Sequence, residues 1–149
     1  MTRAWRLCSS RFPANSGTGA AIYGGRWNPK GIEAVYAASS AALAALEILV
    51  HYDVLPNDFV LTEIVFPTHF RIKRLEASKL PSGWDDETPI AETQDLGADW
   101  IRDRLHAVLS VPSTVVASEK NYVINPKHPE FARIDFRTPV PFRFDSRLK

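Results

Sequence analysis

The sequence predicts an α+β fold of short mixed and antiparallel strands with a few helices. Three observations carry that expectation. Short runs enriched in β-branched and aromatic residues, such as FVLTEIVF at 59–66, are set apart by Gly, Pro, Asn and Asp. Only two stretches have the apolar spacing of a helix of useful length. Strands and helices do not alternate as they do in a parallel βαβ sheet. At 149 residues, the chain is expected to be one domain over 1–149 with a substantial core.

In chain order, residues 34–38 (AVYAA) read as a short strand. Ser39 and Ser40 then offer hydroxyl caps for a helix over about 41–51, AALAALEILVH, which Asp53, Pro56 and Asn57 terminate. Phe59–Phe66 reads as a strand stopped by Pro67, and Phe70–Leu75 as a weaker one. Residues 78–95 (SKLPSGWDDETPIAETQD) resemble a long exposed loop inserted within the domain. A second helix is expected over about 97–109. Its apolar stripe would be Trp100, Ile101, Leu105, Val108 and Leu109, with Asp99, Arg102, Asp103 and His106 facing outward. Val115–Ala117, Tyr122–Ile124, Phe131–Phe136 and Pro141–Phe144 complete the strand candidates.

Composition narrows the function. Eighteen basic against seventeen acidic residues give a net charge of +1, too little for a field that would hold duplex nucleic acid. A local basic pocket for a small phosphate compound stays open. One cysteine, Cys8, excludes an internal disulfide and reads as a small buried hydrophobe in a reducing compartment. The N-terminus has no apolar signal region, and no run approaches the ~18 apolar residues of a membrane span. A cytoplasmic protein is therefore expected. No P-loop, Rossmann fingerprint, HExxH or GxSxG motif occurs. The four histidines are dispersed, so no metal site is expected.

The stretch GGRWNPKG at 24–31 is too rich in glycine and proline for a regular element. Its Arg26 could fork onto a phosphate or carboxylate, with Trp27 shielding one side, or pair with a surface carboxylate while Trp27 simply packs. Glu47 interrupts the apolar helix pattern and falls on the shoulder of its stripe. It would either line a cleft or cover apolar surface with its stem. Tyr36 is either a half-buried strand aromatic or a stacking platform. Ser113, Asn121 and Asn125 are either turn residues or groups projecting into the same cleft.

Three motifs in order, YGGRWNPKG, VYAASSAALAALEILVH and VPSTVVASEKNYVINPKHPEF, closely resemble the RES domain family over about residues 5–144. The resemblance implies a fold similar to ADP-ribosyltransferase toxins and a role as the toxin of a bacterial toxin–antitoxin pair acting on NAD⁺. By position it implies Arg26, Glu47 and Ser113 as catalytic residues. Arg26, Tyr36, Trp27, Asn28 and Asn121 would form the dinucleotide-binding surface. It also implies an Xre-like helix-turn-helix antitoxin that blocks the cleft, DNA contact only through that antitoxin, and room for self-association in the complex. The expected reaction is cleavage of the nicotinamide–ribose bond by hydrolysis or phosphorolysis. The alternatives are ADP-ribosylation of a protein, or a non-catalytic nucleotide- or partner-binding module. An RNA-cleaving toxin would want a stronger basic surface or a His-based acid/base pair.

Overall fold

The computed structural model describes residues 1–149. One curled, mixed sheet organises the chain. Its strands are β1 (Thr2–Ser9), β2 (Val35–Ala38), β3 (Phe59–Phe66), β4 (Lys73–Arg74), β5 (Val108–Pro112), β6 (Lys120–Ile124), β7 (Asp135–Phe136) and β8 (Val140–Pro141). They run in the order β4-β5-β6-β2-β1-β3-β7, with β8 also paired to β3. Only β4 and β5 run parallel. The helices are α1 (Thr18–Tyr23), α2 (Ala41–His51) and α3 (Ala91–Asp103).

Inside the sheet, between β2 and β3, lies β1, which no sequence pattern announced. It pairs with β3 over eight residues, from Thr2 opposite Phe66 to Ser9 opposite Phe59. Two arginines had masked it. Arg3 pairs across the ladder with Glu63, a cross-strand opposite-charge contact. Arg6 donates to the Tyr36 carbonyl at 2.9 Å. Between them Ala4 is fully buried.

The strand period of two sorts side chains onto the two faces of the sheet. From β2, Val35 and Ala37 join a core cluster with Ile64, Phe66, Val108 and Ile124. Ala38 turns the other way, to Leu7, Leu43, Ala44 and Phe59 under α2. Tyr36 also faces that way, against a cluster of Trp27, Trp100, Ile101, Leu109 and Val123 under α3.

Helix α2 matches its expected span, and Ser40 is its N-cap, accepting the Leu43 N–H at 3.0 Å. The second helix does not match. It starts at Ala91 and stops at Asp103, where Arg104 turns left-handed (φ 54°, ψ 27°). Asp103 Oδ1 accepts the Leu105 N–H at 2.9 Å and stabilises that exit. Val108 and Leu109 therefore belong to β5, buried from Val108 to Val111 without apolar–polar alternation and so indistinguishable from a helix by periodicity alone. Residues 115–117 form a turn, and 131–136 divide into a 3₁₀ turn (Phe131–Arg133) and β7.

The 78–95 stretch also departs from a plain solvent loop. Its last five residues are helical, in α3, while Leu80 and Trp84 pack against the tryptophan cluster.

Candidate active site

The GGRWNPKG loop is held from inside. Asn28 is fully buried, and its amide donates to the carbonyls of Ala20 (2.9 Å), Ile32 (2.9 Å) and Pro29 (3.2 Å). Its Oδ1 accepts the Tyr36 hydroxyl at 2.6 Å, and that hydroxyl in turn accepts the Trp27 N–H at 3.0 Å. Burial holds the Tyr36 phenol far above its ordinary range, against weaker opposition from the Trp27 hydrogen bond and the Arg26 charge. Gly25 is the close-approach position: a Cβ there would lie 2.7 Å from the Tyr36 hydroxyl. Trp27 is 2% exposed and packs in the core. Trp27 and Asn28, expected at the ligand surface, are thus interior supports of the loop. The Tyr36 hydroxyl is committed to the same support, which leaves its half-buried ring as the part able to meet a ligand.

Arg26 remains half-buried and outside that interior network. Its Nη1 donates to the Trp84 carbonyl and its Nη2 to the Asp86 carbonyl, each at 2.7 Å. No carboxylate forms an ion pair with it.

Glu47 is half-buried on α2, but the packed face of that helix is Leu43 and Ala44 with Ala45, Ile48 and Leu49, while Leu46 and Val50, which periodicity put at the centre of the apolar stripe, are exposed. Desolvation raises its carboxyl above the usual glutamate value. Hydrogen bonding from Asn121, the nearby His51, the Ser113 hydroxyl and the Arg26 charge all oppose that rise. The Ser113 hydroxyl donates to Glu47 Oε1 across a long 3.4 Å. Ser113 is 3% exposed and also accepts the N–H groups of Val115 and Val116 at 3.0 and 3.1 Å. It is therefore a turn residue and a Glu47 contact at once. Besides its bond to Glu47, the Asn121 amide makes a long contact to the Ala37 carbonyl, 3.5 Å. Asn125, by contrast, is fully buried and ties the Ile101 carbonyl to its own turn.

Two supporting residues escaped the sequence reading. Glu119 Oε1 accepts the hydroxyls of Ser40 (2.6 Å) and Ser39 (3.2 Å). The Ser113 N–H donates to the Glu119 carbonyl at 3.2 Å. That joins the turn bearing Ser113 to the start of the helix bearing Glu47. Gln94 of α3 donates to the Gly25 carbonyl at 3.0 Å. Neither side-chain contact has a local signal, because Glu119 lies 79 and 80 residues from Ser40 and Ser39, and Gln94 lies 69 from Gly25.

The fold thus gathers Arg26, Tyr36, Glu47, Ser113 and Asn121 from the GGRWNPKG loop, β2, α2, the turn between β5 and β6, and β6 itself. The Glu47 carboxylate, with the Ser113 hydroxyl and the Asn121 amide bonded to it and the fixed Arg26 cation within electrostatic reach, is a set suited to a polar substrate that develops positive charge near the carboxylate. The RES domain family model matches residues 3–145. The chain belongs to the RES family.

Among RES relatives, a protein named Toxin Res from Photorhabdus laumondii is 40% identical over 149 residues, covering 97% of this chain and 95% of that one. A second, named Prs ADP-ribosylating toxin, from Sphingobium sp., is 39% identical over 155 residues, covering 99% and 96%. The crystal structure of the M. tuberculosis MbcT–MbcA toxin–antitoxin complex contains a chain of the same fold. It has a TM-score of 0.76 at 20% identity, covering 94% of this RES chain and 83% of that chain. No helix here is long and apolar enough to cross a membrane.

Proposed function

We propose that this protein is the toxin of a toxin–antitoxin pair and cleaves the nicotinamide–ribose bond of NAD⁺. The observation that carries the reading is Glu47, a half-buried carboxylate with Arg26, Ser113 and Asn121 arranged around it. Relatives named as toxins along nearly their whole length support it.

The bond between ribose C1′ and the nicotinamide nitrogen breaks with both electrons going to nitrogen, which leaves as neutral nicotinamide. C1′ becomes electron-poor, as in glycoside cleavage. Glu47, as a carboxylate beside that ribose, stabilises the developing cation or holds a ribose hydroxyl. Ser113 orients the Glu47 carboxylate. Arg26 uses its free N–H groups on the pyrophosphate or on an incoming phosphate. The Tyr36 ring borders the nicotinamide, and Asn121 supplies an amide to ribose or carboxamide.

Water or inorganic phosphate then attacks C1′; water loses a proton on attack. A protein side chain is the second reading for the acceptor, favoured by the relative named as an ADP-ribosylating toxin. The partner in this reading is an Xre-like antitoxin covering the cleft, by analogy with the toxin–antitoxin complex of the same fold.

Incubating the purified protein with NAD⁺, with and without phosphate and with a cell extract, and identifying products by mass spectrometry tests the reading. Free nicotinamide with ADP-ribose, or with its 1″-phosphate, is expected. ADP-ribose found only on protein would establish the second reading, and intact NAD⁺ in every arm would overturn both.

A further inference from the structure

We propose that residues 81–90 are a strap that positions Arg26, with Trp84 as its anchor. The proposal deepens the functional reading above and rests on it for its kinetic consequence. Three successive residues of the GGRWNPKG loop are held from one side, Arg26 by the strap and its two neighbours by α3 directly after it. The Gly25 carbonyl accepts from Gln94 at 3.0 Å. The Arg26 guanidinium donates to the carbonyls of Trp84 and Asp86 at 2.7 Å each. The Trp27 carbonyl lies so close to α3 that a Cβ on Gly97 would fall 1.6 Å from its oxygen.

The chemistry of the Arg26 partners is informative. Guanidinium carries five N–H donors in a rigid fork. Two are fixed by the strap, and three remain. Backbone carbonyls are neutral, so they set the plane of the fork without cancelling its charge. A carboxylate partner would do both. Asp85, Asp86 and Glu87 lie on the strap, yet none pairs with Arg26; the Asp86 carboxylate turns back toward Gly83, whose φ of +85° makes the bend. Three acids stand in sequence at 85–87, beside the carbonyls that hold Arg26, yet no ion pair with it forms. An arginine held by carbonyls keeps its charge for an anionic ligand.

Trp84 is where the strap meets the core. Its indole packs with the cluster of Trp27, Trp100 and Leu109, and the Trp84 backbone N–H donates to the Pro81 carbonyl at 3.2 Å. Trp84 touches no reacting atom in this scheme. It acts through Arg26 and is a positioning residue.

The test is a double-mutant cycle on NAD⁺ turnover, with amide exchange as a second readout. Trp84→Ala is expected to lower kcat/KM by about tenfold or more, and Trp84→Phe to recover most of that loss. In the Arg26→Ala background, Trp84→Ala should cost nothing further. An equal loss in both backgrounds would overturn the proposal, because Trp84 would then act independently of Arg26. Amide exchange needs no turnover and separates the strap from the enzymatic reading. Arg26→Ala should accelerate exchange over 83–90 while leaving β1 and β3 unchanged. Unchanged exchange over 83–90 overturns the strap, even if NAD⁺ is cleaved. Accelerated exchange in a protein that leaves NAD⁺ intact sustains the strap and overturns the functional reading alone.

Discussion

Glu47 holds the strongest tension in the molecule between folding and chemistry. Burial raises its carboxyl above the ordinary value, so the folded chain retains a proton that the unfolded chain releases. The stability from that proton is full below the ordinary glutamate range and is lost as pH rises through the raised value. Above it, folding carries a half-buried charge that glutamine lacks. Glu47→Gln should therefore melt higher than wild type at neutral pH, with the gap closing as the pH is taken below the ordinary glutamate range. NAD⁺ turnover by the same variant should fall by about 10²–10³-fold, the usual cost of removing a group that stabilises transition-state charge. Melting curves over pH and single-turnover assays check the two halves, and a variant both active and no more stable would remove Glu47 from the site. Its place in the apolar pattern of α2 left this residue open between lining a cleft and covering apolar surface, and the family motifs made it legible. Arg26 was legible only as an unexplained cation, because its partners lie 58 and 60 residues further on. Trp27 and Asn28 misled for a physical reason: the polarity and aromaticity that suit a ligand surface suit a buried loop support equally well.

Among the elements, α3 couples the core to the site, and Gly97 sets how closely it approaches. Alanine there gains roughly 1 kcal/mol of helix propensity. Against that, its Cβ would lie 1.6 Å from the Trp27 carbonyl oxygen, a contact between two backbones that no rotamer relieves. Overpacking wins, at about 3 kcal/mol or more, or roughly 6–12 °C in melting temperature for a chain of this size. Thermal denaturation of Gly97→Ala measures the loss, and a melting point equal to wild type would mean that α3 does not seat on the loop. The elements most readable from sequence were those with local instructions: α2 from its serine cap and apolar stripe, β3 from its β-branched run. β1 was missed because the partners of Arg3 and Arg6 come into place only after β2 and β3 have assembled. The end of α3 was misplaced because Arg104 adopts a left-handed conformation without a glycine to announce it, and the buried β5 beyond it has no period-two pattern.

At the scale of the whole molecule, the site is a product of sheet order. β5, β6, β2 and β1 lie side by side, which brings the Ser113 turn, Asn121, Tyr36 and the base of α2 together from residues 36 to 121. The family motifs made these residues legible as a set, whereas their spatial meeting depends on antiparallel registers that no local pattern encodes. Because the site exists only in the assembled sheet, a dinucleotide that binds it stabilises the entire fold by mass action. Glu47→Gln allows the measurement without consuming the substrate. At NAD⁺ tenfold above its dissociation constant, about 1.4 kcal/mol of added stability follows, or roughly 3–6 °C. Adding Arg26→Ala to that variant should abolish most of the shift at the same NAD⁺ concentration, because the cation proposed to hold the phosphates is gone while the buried loop supports, Asn28 and Trp27, remain. Nicotinamide alone should give little shift in either variant, since it offers Arg26 no phosphate. A shift that survives loss of Arg26 would place the dinucleotide elsewhere on the sheet and leave the strap holding a purely structural arginine.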